Sequence, residues 1–261
     1  MKRIILGLLF DGVDFYLSRN FRLQRLGNMA WLEEHFQIFN LASHVDEVAV
    51  FHVGRTMSSA AFAGALTELA RNLFIPISVG GGVRSIEDAD LLFRSGADRI
   101  MFSGTLWNEP TLVREVGRQY GKQAVIGVLN YSQTEGKSPI IRYRNEEGIH
   151  GVELTHLPTE SLSSLVGEVV LQSIDRDGTG QGFPAGDLPS FAGLEETPLI
   201  AAGGFGSPAH VSQALSDFRV QAVLTSNLLA FVGTGLVIAR QSALTVGVSL
   251  ASWHDFSMRN S

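Results

Sequence analysis

Two glycine-rich stretches carry the clearest chemical signal in this sequence. Ser78-Val79-Gly80-Gly81-Gly82-Val83-Arg84 follows an apolar run and precedes a stretch of helical spacing, and Ala202-Gly203-Gly204-Phe205-Gly206 repeats the arrangement later. Residues without a Cβ leave their backbone N–H groups open to an approaching anion. After the next apolar run each loop is followed by a small polar turn, Ser103-Gly104 in one case and Thr225-Ser226-Asn227 in the other. A glycine loop beside a helix start makes a phosphate cup, because unpaired N–H groups and the helix dipole both favour negative charge. Gly81, Gly82, Ser103 and Gly104 form one candidate cup, and Gly203, Gly204, Ser226 and Asn227 the other. A single loop of this kind could serve only to turn the chain. Two related pairs suit a ligand phosphorylated at both ends.

Titratable residues lie close to these loops. The segment SIDRDGTGQG (173–182) contributes Asp175, Arg176 and Asp177. Its two carboxylates could act as acid, base or acceptor for a ligand hydroxyl, or could cap the loop and helix that follow. His52 ends another apolar run, where it could be a general base near neutral pH or a structural histidine bonded to a neighbour. Asp11 and Asp14 fall in the stretch after the first run, where a mobile lid would lie; solvated loop acids are the plainer reading. Arg3, Glu47, Arg99 and Glu168 each stand at or near the start of an apolar run, a common place for solvated charges.

The elements that must position these groups are short β-rich runs at 3–9, 47–53, 75–79, 98–103, 123–130, 168–173, 198–202 and 221–225. Most are separated by helical spacing, with candidate helices at 29–42, 57–73, 85–95, 109–120 and 207–217, and with Ser85 and Ser207 at N-cap positions. Such βα alternation builds a parallel sheet, and burial on both faces makes its strands continuously apolar. The fifth run is followed by SQTEG and then IIRYR-NEEG-IHGVEL, which reads as an inserted hairpin. The sequence also repeats itself. Residues 3–9 match 124–130 at an offset of 121, 45–52 match 166–173 at 121, 75–82 match 197–204 at 122, and 97–104 match 220–227 at 123. The expected architecture is one α/β (βα)8 TIM barrel over 1–261, made of half-barrels at about 1–121 and 122–242 with a tail at about 243–261.

Bulk properties agree with a large core. Charged residues make up 18% of the 261, below the roughly 25% usual for soluble proteins, and AVILMFWYC residues reach 45%. Net charge is −6 and no Lys/Arg run occurs, which argues against nucleic acid or an anionic membrane as partner. The absence of cysteine excludes disulfides and thiolate metal sites. The opening run is too short to span a bilayer and lacks a cleavage pattern, so a buried strand and a cytoplasmic protein are expected, with no metal and no cofactor.

With SIDRDGT added to KRII, VDEV, PISVGGGVR, GADRI, NEP and PLIAAGG, the chain to about residue 235 resembles the cyclase subunit of imidazole glycerol phosphate synthase. That family of duplicated half-barrels also contains the phosphoribosyl-formimino isomerase of histidine biosynthesis. The resemblance implies a glutaminase partner at the bottom of the barrel, ammonia passing through it, and a two-phosphate substrate cleaved and cyclised at the top. It implies an ammonia gate of Arg3, Glu47, Arg99 and Glu168, with arginine in place of the usual lysine at 99. It also implies a glutaminase contact at Asp98, and Ser78 stands where the family has a channel-lining threonine.

At the top the pattern departs. The family's two catalytic aspartates fall at Leu9 and Asn130, which the internal repeat independently pairs, and neither residue transfers protons. A third family carboxylate aligns with His52 and the family's loop lysine with Leu17, near Arg19. Positioned acid/base groups contribute about 10²–10⁴ each in rate, so cyclisation through these positions should be slow. One expectation is therefore a synthase subunit of a glutamine-amidotransferase complex that uses ammonia on a phosphorylated small molecule. Its acceptor would be the histidine intermediate or a sugar, because Leu9 resembles a substitution in paralogues linked to surface-polysaccharide amidation. The competing expectation is an inactive or weak barrel that serves as glutaminase activator or scaffold. The sister isomerase, which needs no gate and uses a strand-one aspartate, fits less well.

Overall fold

The apolar runs read as strands close into a barrel in the computed structural model, which describes residues 1–39, 44–54, 59–134, 137–145, 147–154, 159–191, 194, 196–227 and 235–251. The chain runs through β1 (Arg3–Phe10), β2 (Phe15–Arg19), β3 (Arg22–Gly27), α1 (Met29–Phe36), β4 (Glu47–His52), α2 (Ser59–Asn72), β5 (Ile77–Gly80) and α3 (Ile86–Arg94). It continues through β6 (Arg99–Phe102), α4 (Thr105–Asn108), α5 (Pro110–Tyr120), β7 (Val125–Ser132), β8 (Ile140–Asn145), β9 (Gly148–Glu153) and α6 (Thr159–Leu165). Last come β10 (Glu168–Ser173), β11 (Leu199–Ala202), α7 (Pro208–Ser216), β12 (Val220–Thr225) and α8 (Gly235–Thr245). Strands β1, β4, β5, β6, β7, β10, β11 and β12 pair in parallel in that order. β12 returns to β1 from Arg3↔Ala222 to Leu6↔Thr225 and closes the (βα)8 barrel.

Alternate residues of each barrel strand enter two different cores, so neither face of the sheet meets water. Ile4, Leu6 and Leu8 pack outward with residues of the surrounding helices, while Ile5, Ala49, Ile126, Val170, Ile200 and Ala222 fill the barrel. A period-two pattern is present, but both of its phases are apolar. Ser85 accepts the Asp88 N–H at the start of α3, and Ser207 accepts the His210 N–H at the start of α7, with Pro208 at the first helical position. The helix predicted over 29–42 stops at Phe36, because Gln37 turns left-handed at φ 47 and its N–H closes on the Glu33 carbonyl. Residues 40–43 of that prediction lie outside the described residues.

Two hairpins rise from the upper ends of β1 and β7. The one predicted after the fifth barrel strand is β8–β9, joined to β7 through Asn130↔Arg142, Tyr131↔Ile141 and Ser132↔Ile140. The stretch after β1, read from the sequence as a loop, is a second hairpin, with β2 joined to β1 through Leu9↔Tyr16 and Phe10↔Phe15. Its acids are not solvated loop residues. Burial opposes the charge on Asp11, but the N–H groups of Asp14 and Val13 and the Tyr16 hydroxyl hold its carboxyl below the usual range. Asp14 is buried in a two-pronged ion pair with Arg25.

The C-terminal segment returns to the bottom of the barrel, where the strands begin. Arg240 of α8 reaches both oxygens of Asp46 at 2.9 and 3.0 Å, and Asp46 also accepts the Ile4 N–H at 2.8 Å. Lys2 bridges in parallel to Leu250. Residues 252–261, which the sequence left unplaced, lie outside the described residues. Among the described residues no helix is long and apolar enough to cross a membrane.

Candidate functional site

The strand ends carrying the two glycine loops surround the barrel mouth, and β5–β6 lie diametrically across the barrel from β11–β12. Two adjoining cavities open there. One, of about 1090 Å³, is lined by Gly81, Gly82, Ser103 and Gly104, and the other, of about 740 Å³, by Gly203, Gly204, Ser226 and Asn227. Small-molecule sites commonly hold ~300–1,000 Å³, so each cavity is large enough for a ligand. They meet at Ser18, Leu23, Gln172, Asp177, Leu224 and Ser226, which line both. The two predicted cups thus stand at opposite ends of one mouth.

Glycine is required in both cups for the same reason. Gly81 and Gly203 each have φ 95, and a Cβ on them would stand 2.5 Å from the His52 carbonyl oxygen and 2.6 Å from that of Ser173, respectively. Neither a side chain nor a right-handed backbone fits at these positions.

Between the cups, Leu9 and Asn130 line the larger cavity, and the Asn130 amide donates to the Ser103 hydroxyl at 2.9 Å. Asp177 lines both cavities, yet its carboxylate is engaged. It accepts the Ser18 hydroxyl at 2.6 Å, the Phe21 N–H at 2.9 Å and the Gln172 amide at 3.4 Å, and its carbonyl accepts the Asn20 N–H at 3.0 Å. This residue draws the β2–β3 hairpin down over the mouth. Gly178 fits directly beneath, where a Cβ would stand 2.3 Å from the Ser18 carbonyl oxygen.

The structure does not bring Asp175 into either cavity; its carboxylate accepts the Gln133 N–H at 2.8 Å and ties the loop after β10 to the end of β7. The His52 ring packs edge-on against Phe62 of α2, with centroids 5.4 Å apart. Burial lowers its pKa, although the hydrogen bond to the Asp11 carbonyl works the other way, so the imidazole is neutral near pH 7.

The sequence reading missed three arginines and an aromatic residue at the mouth. Arg19, noted only for its place near Leu17, lines the smaller cavity with Arg22, while Arg84, Arg144 and Phe21 line the larger one. Among the described residues, Arg3, Arg25, Arg99, Arg219 and Arg240 have carboxylate partners, whereas no salt bridge involves Arg19, Arg22, Arg84 or Arg144. The signal available was the arginine pair flanking Asn20-Phe21. No group of three or more His, Asp or Glu able to hold a metal occurs among the described residues.

At the bottom, Arg3, Glu47, Arg99 and Glu168 form a closed ring of alternating charge. Arg3 contacts Glu47 at 3.2 Å and Glu168 at 2.6 Å; Arg99 contacts Glu168 at 2.7 Å and also reaches Glu47. Ser78 donates to the second oxygen of Glu47. Burial pushes the Glu47 carboxyl up, against the pull of Arg99, the Ser78 hydroxyl and Arg3. Burial also works against the Arg3 charge, but the hydrogen bond to Glu168 and the fields of Glu168 and Glu47 hold that guanidinium more firmly than usual. Asp98 is exposed nearby, with one oxygen accepting the Ile77 N–H at 2.8 Å.

The family model described as "Histidine biosynthesis protein" matches residues 36–233. The chain belongs to this family. Within the histidine biosynthesis protein family it is similar over most of its length to a protein of Parasynechococcus marenigrum (strain WH8102), provisionally named imidazole glycerol phosphate synthase subunit hisF2. The two are 35% identical over 258 residues, covering 97% of this chain and 94% of the relative. The imidazole glycerol phosphate synthase subunit HisF of Micrococcus luteus is 34% identical over 197 residues, covering 73% of this chain and 76% of the relative. HisF of Leptospira biflexa serovar Patoc is 29% identical over 184 residues, with 70% and 72% covered. This member of the histidine biosynthesis family is HisF-like in sequence and has the barrel its strand pattern predicts.

Proposed function

We propose that this HisF-like barrel is the synthase-side subunit of a glutamine-amidotransferase pair: ammonia made by a HisH-like glutaminase enters through the bottom ring and meets a phosphorylated ligand at the mouth. The observation that carries this reading is the closed ring of Arg3, Glu47, Arg99 and Glu168 around the barrel axis. Four charges that satisfy one another can shield a small neutral molecule's entry while excluding bulk ions. The ring is flanked by apolar residues of the same face. Phe74, between α2 and β5, and Phe218, between α7 and β12, are 88% and 81% exposed. Exposed aromatic residues around a polar centre support a protein partner there.

Ammonia carries its own nucleophilic lone pair, so its addition depends on a well-placed electrophile more than on a side-chain base. Cyclisation of the histidine type needs proton transfers for which Leu9, Asn130 and the engaged Asp177 offer no free carboxylate. Turnover of the bis-phosphate histidine precursor with saturating ammonium salt should therefore be at least a hundredfold below that of an ordinary HisF; a rate within tenfold of it would show that cyclisation here does not depend on carboxylates at positions 9 and 130. A sugar phosphate acceptor, as in polysaccharide amidation, fits the same arrangement.

The same lack of a free carboxylate supports a second reading, in which the barrel activates or scaffolds a glutaminase without chemistry of its own. Co-purification separates the cases. Asp98→Asn keeps an acceptor for the Ile77 N–H and removes the charge, so both partner-based readings expect weaker association with the glutaminase. Glutaminase stimulation with no product from any phosphorylated acceptor would select the scaffold.

A further inference from the structure

The large apolar side chains exposed at the bottom of the barrel all lie to one side. Phe74 and Phe218 are joined there by Met1, ahead of β1, and by Leu244 and Val246 at the end of α8, all of them exposed. These residues stand at the entries to β12, β1 and β5, and the α8 end is laid against β1 through the Lys2–Leu250 bridge. With β4 the three strands form a continuous arc, β12–β1–β4–β5. The arc ends next to β6, where Asp98 is exposed. Arg3, Glu47 and Arg99 begin β1, β4 and β6, so the apolar arc and most of the charged ring share one surface. Among the described residues, the turns entering β7, β10 and β11 expose no large apolar side chain.

Phe218 is the member of this arc that is held in place. The Asp217 carboxylate accepts the Arg219 N–H at 2.9 Å and its guanidinium at 3.2 and 3.3 Å, and the guanidinium carbon stands 5.9 Å from the centre of the Phe218 ring. The Asp217 carbonyl accepts Lys2 Nζ at 2.6 Å and the Val220 N–H at 3.2 Å, while the Phe218 carbonyl accepts the Gln221 amide at 2.9 Å. The turn is therefore tied on both sides of an exposed aromatic ring. Such a ring loses little freedom on binding, and a few fixed aromatic anchors carry most of the energy of an interface. Lys2 and Arg219 are already bound to Leu215 and Asp217, which suits an apolar protein pocket better than an anionic lipid surface.

We infer that the glutaminase docks off-centre, on the β12–β1–β4–β5 arc, with Phe218 as its anchor and the β7–β10–β11 side of the rim left in water. The inference rests on the partner part of the proposed function and adds where that partner sits and what holds it.

Two measurements on the full chain test it. In sedimentation of the chain alone, a monomer is expected; a dimer dispersed by Phe218→Ala would assign the arc to a second copy and overturn the inference. In a binding titration with a purified HisH-like glutaminase, Phe218→Ala and Phe74→Ala should each weaken association at least tenfold. Phe218→Trp should keep it within threefold, and Gln123→Ala, on the turn entering β7, should change it less than twofold. Binding of the glutaminase with a smaller loss in Phe218→Ala, or with an equal loss in Gln123→Ala, overturns the off-centre anchor and leaves the amidotransferase reading standing. No binding of the glutaminase by the wild-type chain overturns both.

Discussion

A methyl group on Gly203 would meet the Ser173 carbonyl, and the backbone there is left-handed. Gly203→Ala is accordingly expected to cost about 1–3 kcal/mol and to weaken phosphate binding at that cup at least tenfold. Gly186→Ala, with nothing within 4 Å of the added carbon, should do neither. Thermal unfolding and a phosphorus NMR titration of both variants would show it. His52 gives a pH dependence whose sign follows from its burial. Its folded pKa is lowered, so the unfolded chain binds the proton more readily, and stability falls as pH drops below the unfolded value of about 6.5. Between pH 7 and pH 5.5 the urea midpoint of the wild type should fall more than that of His52→Gln. Equal slopes would show that His52 is as easily charged in the fold as out of it.

The β2–β3 hairpin owes its position to one side chain. Asp177→Ala removes the acceptor of the Ser18 hydroxyl, the Phe21 N–H and the Gln172 amide, bonds to a charged group worth about 1.5–3 kcal/mol each at most. Amide exchange within 15–27 should quicken at least tenfold, while the denaturation midpoint of the barrel moves little, because the hairpin lies outside the closed ladder. This hairpin was also the element least legible in the sequence. The barrel strands could be read because both of their faces are buried, and Ser85 and Ser207 marked their helices by capping chemistry. The segment FYLSRNFRLQRLG has neither a continuous apolar run nor an Asn-Gly turn; its tip is Asn20-Phe21, held left-handed by a residue 156 positions away. The two glycine turns were legible for the converse reason, since glycine at φ 95 is demanded locally. Which carboxylates remain free was not legible: Asp175 and Asp177 look alike in SIDRDGTGQG, and only packing assigns one to Gln133 and the other to the hairpin.

Across the whole molecule, the bottom ring joins β1, β4, β6 and β10, strands spread around the barrel. Glu47 is 1% exposed and touches both guanidinium groups, so Glu47→Ala leaves Arg3 and Arg99 to share Glu168. A loss of about 3–5 kcal/mol is expected, read from chemical denaturation, because removing one partner strands buried charge. A loss under about 1 kcal/mol would mean that the ring is as solvated as a surface pair. The same closed ladder constrains how the protein is made. Of the barrel strands, β1 leaves the ribosome before the others and its partner β12 after them, Arg3 lying opposite Ala222. At roughly 5–20 residues per second, the apolar β1 edge stays unpaired for roughly ten to forty seconds of synthesis. Until then the nascent chain carries an open parallel sheet with exposed backbone donors on a greasy margin, the state most prone to pairing with a neighbour. The Lys2–Leu250 bridge and the Arg240–Asp46 clasp use residues synthesised after β12, so they too tie the first strand to the last-made part of the barrel.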